Sequence, residues 1–105
     1  MQRQVDWHEF NTLASAWKSR KKTQSFTGAM VADPNYLRII GMGEVAVPFI
    51  LRQLEIELNS GEPDHWFAAL WAITGENPIP AESQGNVHDM ARAWLEWGER
   101  RGLLH

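Results

Sequence analysis

Residues 44–58 read EVAVPFILRQLEIEL, and the spacing of their apolar positions decides the fold class. Val47, Ile50, Leu51, Leu54 and Leu58 recur three and four apart, the period of a helix with one buried stripe. Pro48 is tolerated only near the first turn, where its missing N–H costs nothing. The spacing therefore predicts a helix over Glu44–Leu58, beginning just after Gly43. Glu55 and Glu57 flank Ile56 and cannot face each other on a helix, so both read as surface carboxylates.

The same reading extends in both directions. Downstream, Ser60-Gly61-Glu62-Pro63 breaks the chain. Asp64 is then placed to cap a helix from His65 to Thr74 that buries Trp66, Phe67, Leu70 and Ile73, and Gly75 ends it. A linker of about five residues makes this helix the antiparallel neighbour of 44–58. Glu76 to Gly85 holds two prolines and a glycine and reads as a loop. Asn86 caps a last helix with Asp89 at its third position; Val87, Met90, Ala91, Trp94 and Trp97 line its inner face, and Gly102 ends it. Upstream, Asp33-Pro34 is an N-cap followed by proline at the first helical position. A short helix follows through Tyr36, Leu37 and Ile40, with Gly41 placed to stop it in a left-handed conformation. Residues 23–32, TQSFTGAMVA, carry no period and read as a loop with two buried anchors, Phe26 and Met30. The first helix runs from Trp7 to Lys18, with room to extend to Lys22. Asp6 and Glu9 make its capping box, Val5 and Phe10 its hydrophobic staple, and Trp7, Phe10, Leu13, Ala14 and Trp17 its apolar stripe. No segment alternates as a strand would. The expectation is an all-α, compact bundle of about five helices, one domain over residues 1–105, with 1–5 and 103–105 frayed.

The segment from Ile39 to Gly75 resembles a HEAT-like repeat of the kind found in bilin-lyase proteins. The resemblance rests on Ile40-Gly41, Ala46-Val47-Pro48-Phe49-Ile50, Leu51, Leu54, Trp66, Ala69-Leu70 and Ile73-Thr74-Gly75. It implies a central antiparallel helix pair stacked on its neighbours. It covers about a third of the chain, lacks a clean second copy, and supplies helix-packing chemistry rather than an activity. A wider run resembles a group of small bacterial proteins without assigned activity. It includes Pro63-Asp64-His65-Trp66-Phe67, Ile73-Thr74-Gly75-Glu76-Asn77-Pro78 and Trp94-Leu95-Glu96-Trp97-Gly98. That likeness implies a shared fold and a shared partner surface.

Composition bounds the function. With 44% apolar and 22% charged residues over 105 positions, the chain has the make-up of one globular core. Cysteine is absent, so disulfides and thiolate metal sites are excluded. No apolar run approaches the roughly 20 residues of a membrane helix, and Met1 to Asp6 lack the apolar core of a signal peptide. The expected setting is the cytoplasm, without membrane contact. Net charge is −3, unevenly distributed: residues 1–22 carry +3 and residues 23–105 carry −6. An acidic body opposes extensive wrapping of nucleic acid.

Chemistry-bearing constellations are sparse. His8, His65, His88 and His105 include no i, i+4 pair of the kind that holds zinc. The serines stand in no nucleophile-elbow context, and Gly41-Met42-Gly43 follows a helix rather than a strand, which removes the dinucleotide reading. No catalytic, cofactor-binding or metal-ligating residue is indicated, and the expectation is a protein that is not an enzyme and takes no cofactor. Two surface candidates remain. Lys18, Arg20, Lys21 and Lys22 form a basic cluster suited to nucleic acid, though no aromatic interleaves with it for base stacking. The six tryptophans are the compositional oddity. On the 65–74 helix, Trp66, Leu70 and Ile73 follow the core stripe while Phe67 and Trp71 lie about 100° further round. That flank belongs either to the core or to an outer apolar face. Phe67, Trp71 and the adjoining Glu76, Asn77 and Pro78 are thus the candidate partner surface. The leading function is a non-enzymatic protein-interaction module, an adaptor or neutralising partner of an unknown protein. An accessory nucleic-acid-binding protein using residues 18–22 is the alternative.

Overall fold

Asp33 shows how directly local chemistry sets the helix boundaries. Its carboxylate accepts the Asn35 N–H at 2.8 Å, and Pro34 occupies the first turn behind it. Asn86 does the same for the last helix, accepting the Asp89 N–H at 3.1 Å. The computed structural model describes residues 7–21, 33–61 and 63–103, and for Arg20 and Lys21 only the backbone. The sequence expectations at Val5, Asp6, Lys22, Phe26 and Met30 lie outside the described residues. Five α-helices follow one another: α1 (Trp7–Lys21), α2 (Pro34–Gly41), α3 (Val47–Ser60), α4 (Phe67–Thr74) and α5 (Val87–Arg100). Short 3₁₀ turns stand at Gly43–Ala46 and Ala81–Ser83. No strand occurs among the described residues, and the fold is all-α.

Three boundaries differ from the sequence reading. Gly41 is the last residue of α2 and is not left-handed; Gly43 is, at φ 72°. The Met42 N–H bonds back to the carbonyls of Arg38 and Ile39 at 3.2 and 3.1 Å, which carries the right-handed turn past Gly41. The 44–58 helix opens as the 3₁₀ turn and becomes α-helical at Val47. Pro48 explains this: it has no N–H to give the Glu44 carbonyl, so the preceding turn closes i→i+3 instead. Finally, α4 starts at Phe67, with Trp66 at the N-cap and no side-chain cap. Gly75 ends it as expected, left-handed at φ 71°, with its N–H on the Trp71 carbonyl.

One hydrophobic core joins all five helices. α1 packs most extensively on α2, α3 on α5, and α2 on α4, while α3 meets α4 over a smaller contact. An aromatic cluster occupies the centre. Trp17 lies 4.9 Å from Tyr36 and 4.8 Å from Trp66, and Phe10 lies 5.7 Å from Trp66, between ring centroids. Pairs of this kind contribute about 0.5–1.5 kcal/mol each beyond their buried area. Tyr36 also ties α2 to the start of α4: its hydroxyl donates to the His65 carbonyl at 2.8 Å and accepts the Ala69 N–H at 2.9 Å.

Candidate functional site

Two of α4's turns decide what the molecule shows to solvent. Trp66, Ala69 and Leu70 are fully buried, and Phe67 is 9% exposed, whereas Trp71 is 61% exposed. Phe67 and Trp71 lie only about 40° apart around the helix, and the edge of the core falls between them. Phe67 is therefore a core residue, set edge-on to His65, and drops out of the candidate partner surface. Trp71 stays on it, flanked by the exposed Ala68 and Ala72.

The chain leaves α4 through a built turn. The Thr74 hydroxyl donates to the Leu70 carbonyl at 2.7 Å and accepts the Glu76 N–H at 3.1 Å. That fixes Glu76, whose carboxylate takes both contacts of Arg101 Nη2, at 2.6 and 2.8 Å. Trp97 Nε1 donates to the same carboxylate at 3.3 Å. The Arg101 guanidinium lies over the Trp97 ring, 5.0 Å from its centroid. Glu76 is thus a bridge between α4 and the end of α5 rather than a free contact residue. Asn77 is exposed and its side-chain oxygen accepts the Ile79 N–H at 3.2 Å, and Pro78 is half-buried. Beside this bridge is a pocket of about 260 Å³ lined by Glu44, Val47, Thr74, Glu76, Trp97, Arg101 and Leu103. Thr74 stands one turn after Trp71 on α4 and lines this pocket, whereas Trp71 itself does not.

A larger, open groove of about 850 Å³ runs between α1 and α2, lined by His8, Glu9, Thr12, Leu13, Arg38, Gly41 and Met42. Its titratable groups are of mixed sign. Among the described residues no three His, Asp or Glu side chains gather as metal ligands. His8, His65 and His88 are all exposed.

Of the basic cluster, only the Lys18 side chain lies among the described residues. The Lys18 ammonium pairs with Glu57 and stands 3.6 Å from Asp64. The side chains of Arg20, Lys21 and Lys22 lie outside the described residues. Glu57 is a residue that the sequence reading missed: it is 8% exposed, not a surface carboxylate. It accepts from Lys18, from Gln53 Nε2 at 2.7 Å, from the Asp64 N–H at 2.9 Å and from Trp66 Nε1 at 3.1 Å. The signal was available, because position 57 continues the buried register 47, 50, 51, 54 of α3. Lys18 is thereby committed to holding α1 against α3 and the segment before α4.

No family model, curated protein or solved structure matches this chain.

Proposed function

We propose that this chain is a non-enzymatic protein-interaction module, an adaptor or neutralising partner, that engages another protein through the face of α4 centred on Trp71. The observation that carries the reading is the 61% exposure of Trp71 in a chain whose other tryptophans are buried or half-buried. Large aromatics such as Trp are the anchors from which interfaces draw much of their energy. The Thr74–Glu76–Arg101 arrangement supports this by holding the surface beside Trp71 in one conformation, which lowers the ordering cost of binding. Asn77 and Pro78 continue the same chain segment. A HEAT-like helix pair suits the role, since such units serve as packing surfaces, and the cysteine-free composition suits a reducing cytoplasm.

The test is site-specific photo-crosslinking from position 71 in the native host, paired with binding by the Trp71→Ala variant. A discrete crosslinked protein that the variant no longer binds is the expected result. Partner binding unchanged in a folded Trp71→Ala variant would overturn the reading.

A further inference from the structure

We infer that the groove between α1 and α2 binds a small organic anion with an apolar body, a carboxylate or a phosphate monoester, anchored by Arg38 and given room by Gly41. No residue of α4 lines this groove, so the site is independent of Trp71. Its volume of about 850 Å³ falls within the roughly 300–1,000 Å³ of small-molecule sites. Arg38, Gly41 and Met42 stand three and four apart, on one side of the end of α2. His8, Glu9, Thr12 and Leu13 line it from the first two turns of α1.

Gly41 is the residue whose identity the fold does not explain. It is right-handed helical backbone, and the left-handed position is Gly43. A Cβ at 41 meets nothing within 4 Å. Neither conformation nor close packing requires glycine there, and glycine in a helix is less stable than alanine. Its missing side chain leaves open space on the groove wall, where a ligand can approach the α2 backbone closely.

The polar groups select an anion. The exposed Arg38 guanidinium has no hydrogen-bond, ion-pair or ring partner among the described residues. Its fork of N–H donors matches carboxylate or phosphate oxygens two at a time. The one carboxylate in the lining, Glu9, already has a partner. The Thr12 hydroxyl donates to the His8 carbonyl at 3.0 Å, which leaves Arg38 and the His8 ring as the available side-chain donors. Leu13 and Met42, half-buried and packed against the core, supply the apolar floor. The net field decides little, because residues 1–22 carry +3 and residues 23–105 carry −6. Recognition rests on Arg38 itself.

The test is titration of the isotope-labelled full chain with 4-phenylbutyrate, phenyl phosphate and the uncharged 4-phenylbutanol, followed by amide chemical shifts. The anions should shift amides at residues 8–13 and 38–42, and the tighter of the two identifies the preferred head group. 4-Phenylbutanol should bind about tenfold more weakly than that anion, and Arg38→Gln should lower the anion's affinity about tenfold. Gly41→Leu should abolish binding while its denaturation midpoint stays at or above that of the parent. Equal binding of the alcohol, or undiminished anion binding in either variant, would overturn the inference. So would shifts confined to other surfaces or no binding by either anion. A lowered midpoint in Gly41→Leu would give the glycine a folding role and overturn it as well. None of these outcomes bears on Trp71.

Discussion

A carboxylate at position 57 is one of two buried charged side chains among the described residues, with Asp33, and its surroundings explain why it is stable there. Four groups donate to it, from α1, α3 and the segment leading into α4. Truncation removes the acceptor that the buried Trp66 Nε1 uses, along with the one taken by the part-buried Asp64 N–H. Glu57→Ala should therefore cost roughly 2–4 kcal/mol, below the full value for a buried ion pair because Lys18 retains some solvent. A urea midpoint that hardly moves would show that these hydrogen bonds contribute nothing net. From sequence, Glu55-Ile56-Glu57 looked like a solvated helix surface; the i+3 step from Leu54 placed Glu57 inward, and only the donors on other elements make that placement stable. Tyr36 gives a second residue-scale prediction. Burial pushes its phenol well above the usual range, and the Ala69 N–H pulls it only partly back. The folded state then holds its proton where the unfolded chain loses it. Stability from this group is complete below about pH 10, the ordinary phenol value, and is lost as pH rises beyond it, by about 1.4 kcal/mol per pH unit. Tyr36→Phe should remove that slope relative to the parent, while costing roughly 1–3 kcal/mol at neutral pH for the unpaired Ala69 N–H and His65 carbonyl. Because this is the only tyrosine in the chain, its ultraviolet titration reads the same effect directly. Phenolate appearing near pH 10 in the folded protein would refute it.

Elements were legible wherever a boundary depended on its own residues. Asp33, Asn86, Gly75 and Gly102 act where the sequence placed them. The boundaries around residues 41–47 were not legible, because they depend on which of two glycines the Met42 N–H leaves free and on how Pro48 alters the turn before it. The start of α4 was missed for a similar reason: Trp66 is held by the aromatic cluster and by Glu57, so the chain enters the helix from a core anchor rather than from a side-chain cap. The glycines give a paired prediction at this scale. Gly75 is left-handed and Gly41 is not, and a Cβ at either meets nothing within 4 Å. Backbone conformation alone then sets the sign. Gly75→Ala should destabilise by about 1–2 kcal/mol, and Gly41→Ala should stabilise by about 0.5 kcal/mol by restricting the unfolded chain. Thermal midpoints moving in opposite directions are the expected outcome. A destabilised Gly41→Ala would restore the left-handed stop to position 41.

At the scale of the molecule, five helices close around one core with a Cα radius of gyration of 13.3 Å, near the roughly 13 Å of a compact chain of this length. The helical stripes of Trp17, Trp66 and Trp94 announced that core in the sequence. What they could not announce was where it ends, because the limit between Phe67 and Trp71 is drawn by neighbours of α4 and not by α4 itself. The tryptophans therefore divide into two classes that single substitutions should separate. Trp94 is 1% exposed and stands edge-on to Trp97, 5.2 Å between centroids, on the helix that packs most extensively against α3. Trp94→Ala should cost roughly 3–5 kcal/mol. Its Nε1 is buried without a hydrogen-bond partner, a penalty the native state already carries. Trp94→Phe removes that orphaned donor along with some volume, so it should recover most of the loss. Trp71→Ala, by contrast, should change the unfolding free energy by no more than about 0.5 kcal/mol, because the indole is mostly in water in both states. Measured side by side with unchanged m-values, these three variants test whether the core ends at Phe67. A Trp71→Ala loss comparable to that of Trp94→Ala would move Trp71 into the core and remove the surface on which its interaction role rests.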